Sequence, residues 1–161
     1  MAISAGDKIP DVEVKVLSPE GMPQGVQTGE VLGSGRVVLF GLPGAFTPGC
    51  SKQHLPGYVG AADKLAQKGV DKVVCVAVND AWVMDAWAKE QGVGDKILML
   101  ADGNGAFTEA MGLALDGSGF GLGSRSQRYA AVIENGTITR LEVESGPGVN
   151  VSSCENILSG L

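Results

Sequence analysis

The sequence is poor in the residues that build metal sites and disulfide frameworks. Its 161 residues include three cysteines and a single histidine, His54. No two cysteines form a C-x-x-C pair, and three cysteines in a chain of this length do not make a disulfide framework. We therefore expect a reducing compartment. We also expect no metal, because a zinc site would have too few soft ligands.

An excess of positive charge and long apolar segments are missing as well. The formal net charge is -6 and the isoelectric point is near 4.7, so no basic stripe is available for nucleic acid or for an anionic membrane surface. No apolar run approaches the roughly 20 residues of a membrane-spanning helix, and residues 1–7 lack the basic region of a signal peptide. We expect a soluble chain with one domain over residues 1–161, for which a small diffusible substrate remains open.

What is present is an alternation of strand and helix patterns. The continuous apolar runs at residues 37–40 and 73–78 are typical of strands covered on both faces of a parallel sheet. Between them, apolar residues recur every three or four positions over residues 50–68, which predicts a helix. Pro56-Gly57 should kink or split this helix, because proline removes a hydrogen-bond donor. Strand, helix and strand together predict a βαβ unit.

The alternation continues beyond the second strand. Residues 81–91 predict a helix capped by Asp80 or Asn79, and residues 97–100 predict a third strand.

A hairpin is predicted near the end of the chain. Residues 128–133 and 137–143 read as strands around Asn135-Gly136, a dipeptide typical of tight hairpin turns. The sheet is therefore expected to mix parallel and antiparallel strands.

Two further segments have local signatures. The glycine-rich residues 116–124 follow a helix and precede a strand, opposite to the setting of a phosphate-binding loop, so we interpret them as a flexible connection. Ser152 and Glu155 match a capping box, with Ser152 reaching forward and Glu155 reaching back at the start of a C-terminal helix.

Cys50 has a sequence position that is typical of a nucleophilic cysteine. Thr47 and Pro48 form a good N-cap and first-position pair, which puts Cys50 in the first turn of a helix. A thiolate at such a position faces unpaired backbone N–H groups and the positive end of the helix dipole, and the pKa of cysteines in such settings falls from about 8.5 to roughly 3.5–7.5. A buried, inert cysteine at a helix start is the alternative that these residues alone leave open.

The surroundings of Cys50 resemble a known family. The pattern Pro43-x-x-x-Thr47-x-x-Cys50 after a buried strand is the active-site pattern of peroxiredoxins. The run PGAFTPGCS at residues 43–51, followed by HLPG at 54–57, is similar to the type II group, which includes the mammalian peroxiredoxin-five proteins and the plant type II enzymes. The resemblance extends over nearly the whole chain through the segments VND (78–80), WVMDAW (82–87), ADGNG (101–105) and GLGSRSQRY (121–129).

This resemblance implies a thioredoxin-like α/β fold with a mixed central sheet flanked by helices. It also implies two-electron reduction of hydrogen peroxide and alkyl hydroperoxides without a bound cofactor, in which the Cys50 thiolate is oxidised to a sulfenic acid. By the same resemblance, the Thr47 hydroxyl positions the peroxide, Arg128 stabilises thiolate and transition state, and Pro43 shields the pocket from water. Arg125 matches a second family arginine, without a definite role.

The single histidine lies four residues beyond Cys50. A Cys–His hydrolase would need an orienting third group and a separate oxyanion hole, and no suitable signature is visible. We interpret His54 as a local contact or tuning group, with a structural role favoured.

Two cysteines are candidates to resolve the sulfenic acid. Cys75 lies 25 residues beyond Cys50, the spacing of the proposed resolving cysteine in plant type II members. A strand position four residues before the carboxyl end would put it roughly 13 Å from that end, whereas a disulfide needs Cα atoms within about 7 Å. The first helical turn would then have to unwind.

Cys154 is the rival, because the first turn of the C-terminal helix should make it accessible and somewhat activated. The mammalian C-terminal resolving cysteine, however, matches Val151. We predict Cys75 as the resolving cysteine, with Cys154 as rival and with direct reduction by glutathione, glutaredoxin or thioredoxin left open.

Two other functional classes would also use Cys50. A thioredoxin-type disulfide oxidoreductase shares the expected fold but would normally carry C-x-x-C. A redox-signalling module, in which Cys50 is oxidised once by peroxide as a signal, is the alternative from a non-enzymatic class.

The resemblance also bears on assembly and compartment. Type II relatives often form homodimers through active-site loops, and Phe46, Trp82 and Phe120 are the candidate apolar contacts. The expected compartment is the cytoplasm, or the plastid stroma if a transit peptide is missing from the sequence, since residues 6–10 and 82–105 are similar to plant members.

Overall fold

A seven-stranded mixed sheet forms the centre of the protein. The computed structural model describes residues 2–161. The strands are β1 (Glu13–Leu17), β2 (Pro23–Gln27), β3 (Arg36–Leu42), β4 (Lys72–Ala77), β5 (Leu98–Ala101), β6 (Ala114–Asp116), β7 (Ser124–Ser126), β8 (Tyr129–Glu134) and β9 (Thr137–Val143). The large sheet has the order β2-β1-β5-β4-β3-β8-β9, while β6 and β7 form a separate two-stranded ribbon.

The sheet is parallel at its centre and antiparallel towards both edges. β3, β4 and β5 run parallel, whereas β8 is antiparallel to β3 and β1 is antiparallel to β5. Nearly every residue of β3 and β4 is buried, as the continuous apolar runs predicted. The predicted mixed sheet is therefore confirmed.

Helices cover the two faces of the sheet. They are α1 (Thr28–Val31), α2 (Leu55–Gly60), α3 (Ala62–Gln67), α4 (Ala81–Glu90), α5 (Ala106–Met111) and α6 (Cys154–Ser159), with a π-helical turn at Cys50–His54. Val38 and Phe40 face a core shared with α2, α3, α4 and α6, whereas Val37 and Leu39 face a core shared with α1 and α5. Alternate strand residues thus fill opposite cores. Within residues 2–161, none of these helices has the length and apolar character needed to cross a membrane.

The helical stretch after β3 is divided more than its sequence predicted. The π-helical turn gives way to α2 at Leu55, so Pro56 lies in the first turn of α2, where a missing N–H costs little. This agrees with the predicted split near Pro56-Gly57. A second break occurs at Ala61, whose ψ of 10° is not helical, and nothing in the sequence pattern predicted it.

The hairpin prediction is confirmed. β8 and β9 pair in antiparallel register around Asn135 and Gly136, whose φ angles are 52° and 83°. Two successive positive φ values define the tight turn that favours the Asn-Gly sequence. Asp80 is likewise confirmed as the cap of α4, because its Oδ1 accepts a hydrogen bond of 2.9 Å from the Val83 amide.

One local prediction is wrong, and another segment has more structure than the sequence indicated. Residues 117–123 connect β6 to β7, which pair with each other, and the Gly117 amide donates to the Gly123 carbonyl at 2.7 Å. The cap of α6 is Ser153, whose side chain accepts from the Asn156 amide. Ser152 instead donates its hydroxyl to Glu144, a contact across the chain that outcompetes a local capping box.

Candidate active site

Cys50 follows the carboxyl end of β3 and is fully buried. The chain leaves β3 at Leu42 and becomes helical at Pro48, so Cys50 lies in the first helical turn as predicted. Its side chain has no exposed surface. Phe46, in the connecting loop, has a φ of 64°, a left-handed conformation that is rare for a residue with a bulky side chain. A strained turn therefore leads directly into the helix that carries the cysteine.

Thr47 makes a different hydrogen bond from the one predicted. Its hydroxyl donates to the Gly44 carbonyl at 2.6 Å, whereas the sequence predicted that it would accept from a helix amide. The backbone still caps the turn, since the Ser51 amide donates to the Thr47 carbonyl at 3.0 Å. A hydroxyl has one proton and two lone pairs, so this bond leaves the lone pairs of Oγ1 free to accept from another group.

Arg128 reaches the cysteine from the other side of the site. It immediately precedes β8, which pairs with β3 and so brings the arginine to the end of that strand. Its Nη2 donates to the Cys50 sulfur at 3.4 Å, and its Nη1 lies 3.1 Å from Nδ1 of His54. A Cβ atom on Gly49 would lie 3.0 Å from Nη2, so the glycine makes room for this approach. The structure thus brings Cys50 and Arg128 together, as predicted.

Pro43 and Arg125 are joined at the rim of the site. The Pro43 carbonyl accepts from Nη1 of Arg125 at 3.2 Å, while Nε of Arg125 donates to the Leu122 carbonyl at 3.0 Å. A Cβ atom on Gly44 would lie only 2.5 Å from the same Nη1. Arg125, for which no definite role was predicted, therefore connects the β6–β7 ribbon to the loop before Cys50.

His54 is buried between two aromatic rings. Its ring centroid lies 5.0 Å from that of Phe40 and 5.7 Å from that of Tyr58. Its Nε2 is 3.1 Å from the Ser152 carbonyl. Burial, and secondly the Arg128 guanidinium, lower the pKa of His54 from 6.5 to about 3. The ring is therefore neutral at physiological pH.

A cavity of about 530 Å³ opens beside this cluster. Pro43, Gly49 and Arg128 line this cavity together with the apolar side chains of Phe120 and Leu122. Arg128, which contacts the Cys50 sulfur, therefore also lines the cavity.

Cys75 lies in the same core cluster as Cys50. It is opposite Phe40 on β4 and two residues, not the predicted four, before the end of that strand, or about 7 Å at the usual rise. The pKa of the Cys75 thiol is raised well above its usual range, first by burial and then by the neighbouring Cys50 sulfur.

Cys154 is neither accessible nor activated, so the prediction for it is wrong. It is the first residue of α6 but only 3% exposed. Burial raises the pKa of Cys154 to about 11, although Lys64 acts in the opposite direction. Packing of α6 against the core outweighs the effect of the helix terminus. All three cysteines are free thiols.

Several residues that hold the site were not identified as site residues from the sequence. The Asn79 side chain accepts from the Ala45 amide at 2.9 Å, and Trp87 donates to the Ser51 hydroxyl at 3.0 Å. Asn79 and Trp87 lie in segments that carry the family resemblance, and that was the available signal. Over residues 2–161, no cluster of three or more His, Cys, Asp or Glu side chains is arranged to hold a metal ion.

Comparison with known proteins covers the whole chain. The Redoxin family matches residues 4–158. Peroxiredoxin-2E, chloroplastic, of Arabidopsis thaliana is 42% identical over 163 residues, covering 99% of this chain and 70% of that protein. Peroxiredoxin-2C of the same plant is 42% identical over 159 residues, covering 99% and 98%. The crystal structure of reduced Prx3 in complex with H2O2 from Vibrio vulnificus has a TM-score of 0.93 at 47% identity and covers 98% of both chains. These matches confirm the predicted thioredoxin-like α/β fold.

Proposed function

The chain belongs to the peroxiredoxin family of thiol peroxidases, and on this basis we propose that it reduces hydrogen peroxide and alkyl hydroperoxides at Cys50. The observation that carries the proposal is the Arg128 guanidinium, which donates to the buried Cys50 sulfur at 3.4 Å. A fixed cation beside the sulfur is placed to stabilise the negative charge that develops as the peroxide bond breaks.

The proposed step transfers one oxygen atom. The thiolate sulfur attacks the terminal peroxide oxygen, the O–O bond breaks with its electron pair on the leaving oxygen, and a proton taken up there gives water or alcohol. Cys50 becomes a sulfenic acid, two electrons more oxidised. We assign Thr47 to the incoming peroxide, because its Oγ1 keeps free lone pairs while its proton is bound to Gly44. Arg128 stabilises the negative charge in the transition state, and Pro43, which lines the cavity, shields it from water.

The cavity supports the proposal that alkyl hydroperoxides are substrates. Phe120 and Leu122 give it apolar walls, and its volume of about 530 Å³ has room for an organic tail. Hydrogen peroxide would need only the space beside Arg128, so both substrate classes fit one cavity.

Turnover needs a thiol that removes the sulfenic acid. We propose that Cys75 condenses with the Cys50 sulfenic acid, which releases water and forms a disulfide that thioredoxin, or glutaredoxin with glutathione, then reduces. Both cysteines belong to one core cluster, and the π-helical turn at 50–54 is the segment that would unwind to let their sulfurs meet. Direct reduction of Cys50 by the external thiol is the competing route.

A turnover assay tests the function itself. With hydrogen peroxide and a regenerating thiol system, the chain should consume many equivalents of peroxide, and Cys50→Ser should abolish consumption. Full turnover by Cys50→Ser would refute the assignment. Oxidation of Cys50 once per chain without further turnover would instead indicate a peroxide-sensing module.

Mass mapping of the oxidised protein tests the resolving thiol. The expected product after one equivalent of peroxide is a Cys50–Cys75 disulfide, and a Cys154→Ser variant should form it equally well. A Cys50–Cys154 bridge would refute this choice. A stable Cys50 sulfenic acid that glutathione reduces directly would support the competing route.

Assembly is a further part of the proposal. Phe46 and Trp82 are each 52% exposed and Phe120 is 90% exposed, which supports a homodimer that covers these side chains. Sedimentation equilibrium should give a dimer mass, and a monomer mass independent of concentration would refute it.

We also propose that residues 1–161 form one domain, since a single large sheet carries both cores. Unfolding should then show one cooperative transition. For the compartment we propose the cytoplasm or the plastid stroma, the latter because two relatives are named chloroplastic.

A further inference from the structure

The loop that follows β9 forms part of the wall of the cavity beside Arg128. Residues 145–148 line this cavity of about 530 Å³, and all four of them are exposed. In the part of the chain that the structure describes, residues 145–149 make no hydrogen bond to another backbone group. The backbone of the loop therefore does not fix its own path along the cavity.

One carboxylate joins the two ends of this loop. Oε2 of Glu144 accepts from the Asn150 amide at 2.7 Å, and from the Ser152 amide and hydroxyl at 2.8 and 2.6 Å. Burial acts to raise the pKa of Glu144, but the hydrogen bonds from Ser152 and Asn150 outweigh it, so the pKa lies below its usual value. The side chain is therefore ionised at neutral pH, and hydrogen bonds to an ionised acceptor are the strong ones.

We propose that Glu144 is a positioning residue that determines how well organic hydroperoxides are used, because its carboxylate holds residues 145–148 as a wall of the cavity. This inference deepens the proposed function and rests on it. Phe120 and Leu122 supply apolar surface from the β6–β7 ribbon, and Pro147 supplies it from the loop. An organic tail that contacts both surfaces is removed from water, and it would lose part of this binding energy if the loop moved away. Hydrogen peroxide has no such tail.

The reacting groups are held independently of the Glu144 carboxylate. The Glu144 amide donates to the Arg128 carbonyl at 2.9 Å, and a backbone contact of this kind does not depend on the side chain. The Ser152 carbonyl accepts from the Tyr58 hydroxyl at 2.8 Å, so residue 152 keeps a contact with the core when the carboxylate is removed. Loss of the carboxylate should therefore release the loop and leave Arg128 beside the Cys50 sulfur.

Amide hydrogen exchange, measured by NMR, tests the contact without any peroxide. The amides of Asn150 and Ser152 are bound to the carboxylate, so both should exchange slowly in the parent. Glu144→Leu removes both acceptor oxygens, and exchange at these amides should become at least about tenfold faster. Glu144→Gln keeps one acceptor oxygen without the charge, so its exchange rates should lie between the two. Rapid exchange of both amides in the parent would overturn the inference.

A series of peroxides with tails of increasing size tests the consequence for the reaction. The rate constant for oxidation of Cys50 is measured with hydrogen peroxide, tert-butyl hydroperoxide and cumene hydroperoxide. For Glu144→Leu we expect the cumene hydroperoxide value to fall roughly tenfold, the effect of leaving about two CH₂ groups in water, and the tert-butyl hydroperoxide value to fall less. The hydrogen peroxide value should stay within about threefold of the parent, because there is no tail to bury. If Glu144→Leu does not fold, Glu144→Gln provides the same test with smaller changes in the same direction.

Glu142→Leu is the matched control, because it removes a carboxylate from the same segment that pairs with Arg140 and not with the loop. It should leave the ratio of the cumene hydroperoxide and hydrogen peroxide rate constants unchanged. If the three rate constants of Glu144→Leu stayed at the parent values or all fell by the same factor, the inference would be overturned and the proposed function would stand. Absence of turnover with every peroxide in the parent would refute the proposed function and the inference with it, even with slow exchange at Asn150 and Ser152.

Discussion

Acid should destabilise this protein through one identifiable group. The folded chain keeps His54 neutral until the pH approaches its pKa of about 3, whereas the unfolded chain binds a proton there near pH 6.5. Below pH 6.5 the unfolded state therefore binds more protons than the folded state. The stability that the neutral ring contributes is complete above pH 6.5 and is lost as the pH falls towards 3.

The size of this loss follows from the shift in pKa. Each unit corresponds to about 1.4 kcal/mol, so a change from 6.5 to about 3 corresponds to about 5 kcal/mol in all. Between pH 6.5 and 4.5 the loss should be about 2–3 kcal/mol. That is a large part of the roughly 5–15 kcal/mol by which domains are usually stable.

Urea unfolding at pH 7.0, 5.5 and 4.5 measures this loss when the parent is compared with His54→Asn. Carboxylates such as Glu144 titrate in both proteins, so the difference between the two curves isolates the histidine. We expect the free energy of unfolding of the parent to fall relative to that of the variant by about 2–3 kcal/mol over this range. A difference that stays constant with pH would refute the reasoning, because it would mean that His54 titrates alike in both states.

Three further predictions concern single contacts. Asp80→Ala should cost about 1 kcal/mol by removing the cap on the Val83 amide, with peroxide turnover unchanged; an unaltered thermal midpoint would contradict it. Gly57→Ala should stabilise by about 0.5–1 kcal/mol, because Gly57 is helical and an added Cβ meets no atom within 4 Å; a lower urea midpoint would contradict it. Thr47→Val should lower the peroxide rate constant at least about tenfold, while Thr47→Ser retains most of it; equal rates for the two variants would exclude the hydroxyl role.

Much of the fold was predictable because buried strands and tight turns need particular residues at neighbouring positions in the sequence. Strands β3 and β4 are covered on both faces, which requires continuous apolar residues, and both runs were visible. The turn of the β8–β9 hairpin needs two positive φ angles, which the Asn135-Gly136 pair supplies. Such features depend on neighbouring residues alone.

The errors occurred where a distant segment competes with a local rule. Ser152 matches a capping box, but the Glu144 carboxylate takes its amide and hydroxyl, so the cap moves to Ser153. Cys154 starts a helix, but packing of α6 buries it. The spacing of residues along the chain does not show whether a side chain will contact its local partner or a residue that folding brings closer.

For the candidate site, the sequence by itself placed Cys50 in the first turn of a helix, because Thr47, Pro48 and Cys50 are neighbours and a helix start is a local property. The resemblance then supplied Arg128. The tertiary structure alone decided how that arginine is held, since His54 and Ser152 are far apart in sequence and meet only where the C-terminal segment folds back over the π-helical turn. Which atoms face each other is decided in space, and no spacing along the chain shows that the His54 ring lies between Arg128 and the Ser152 carbonyl.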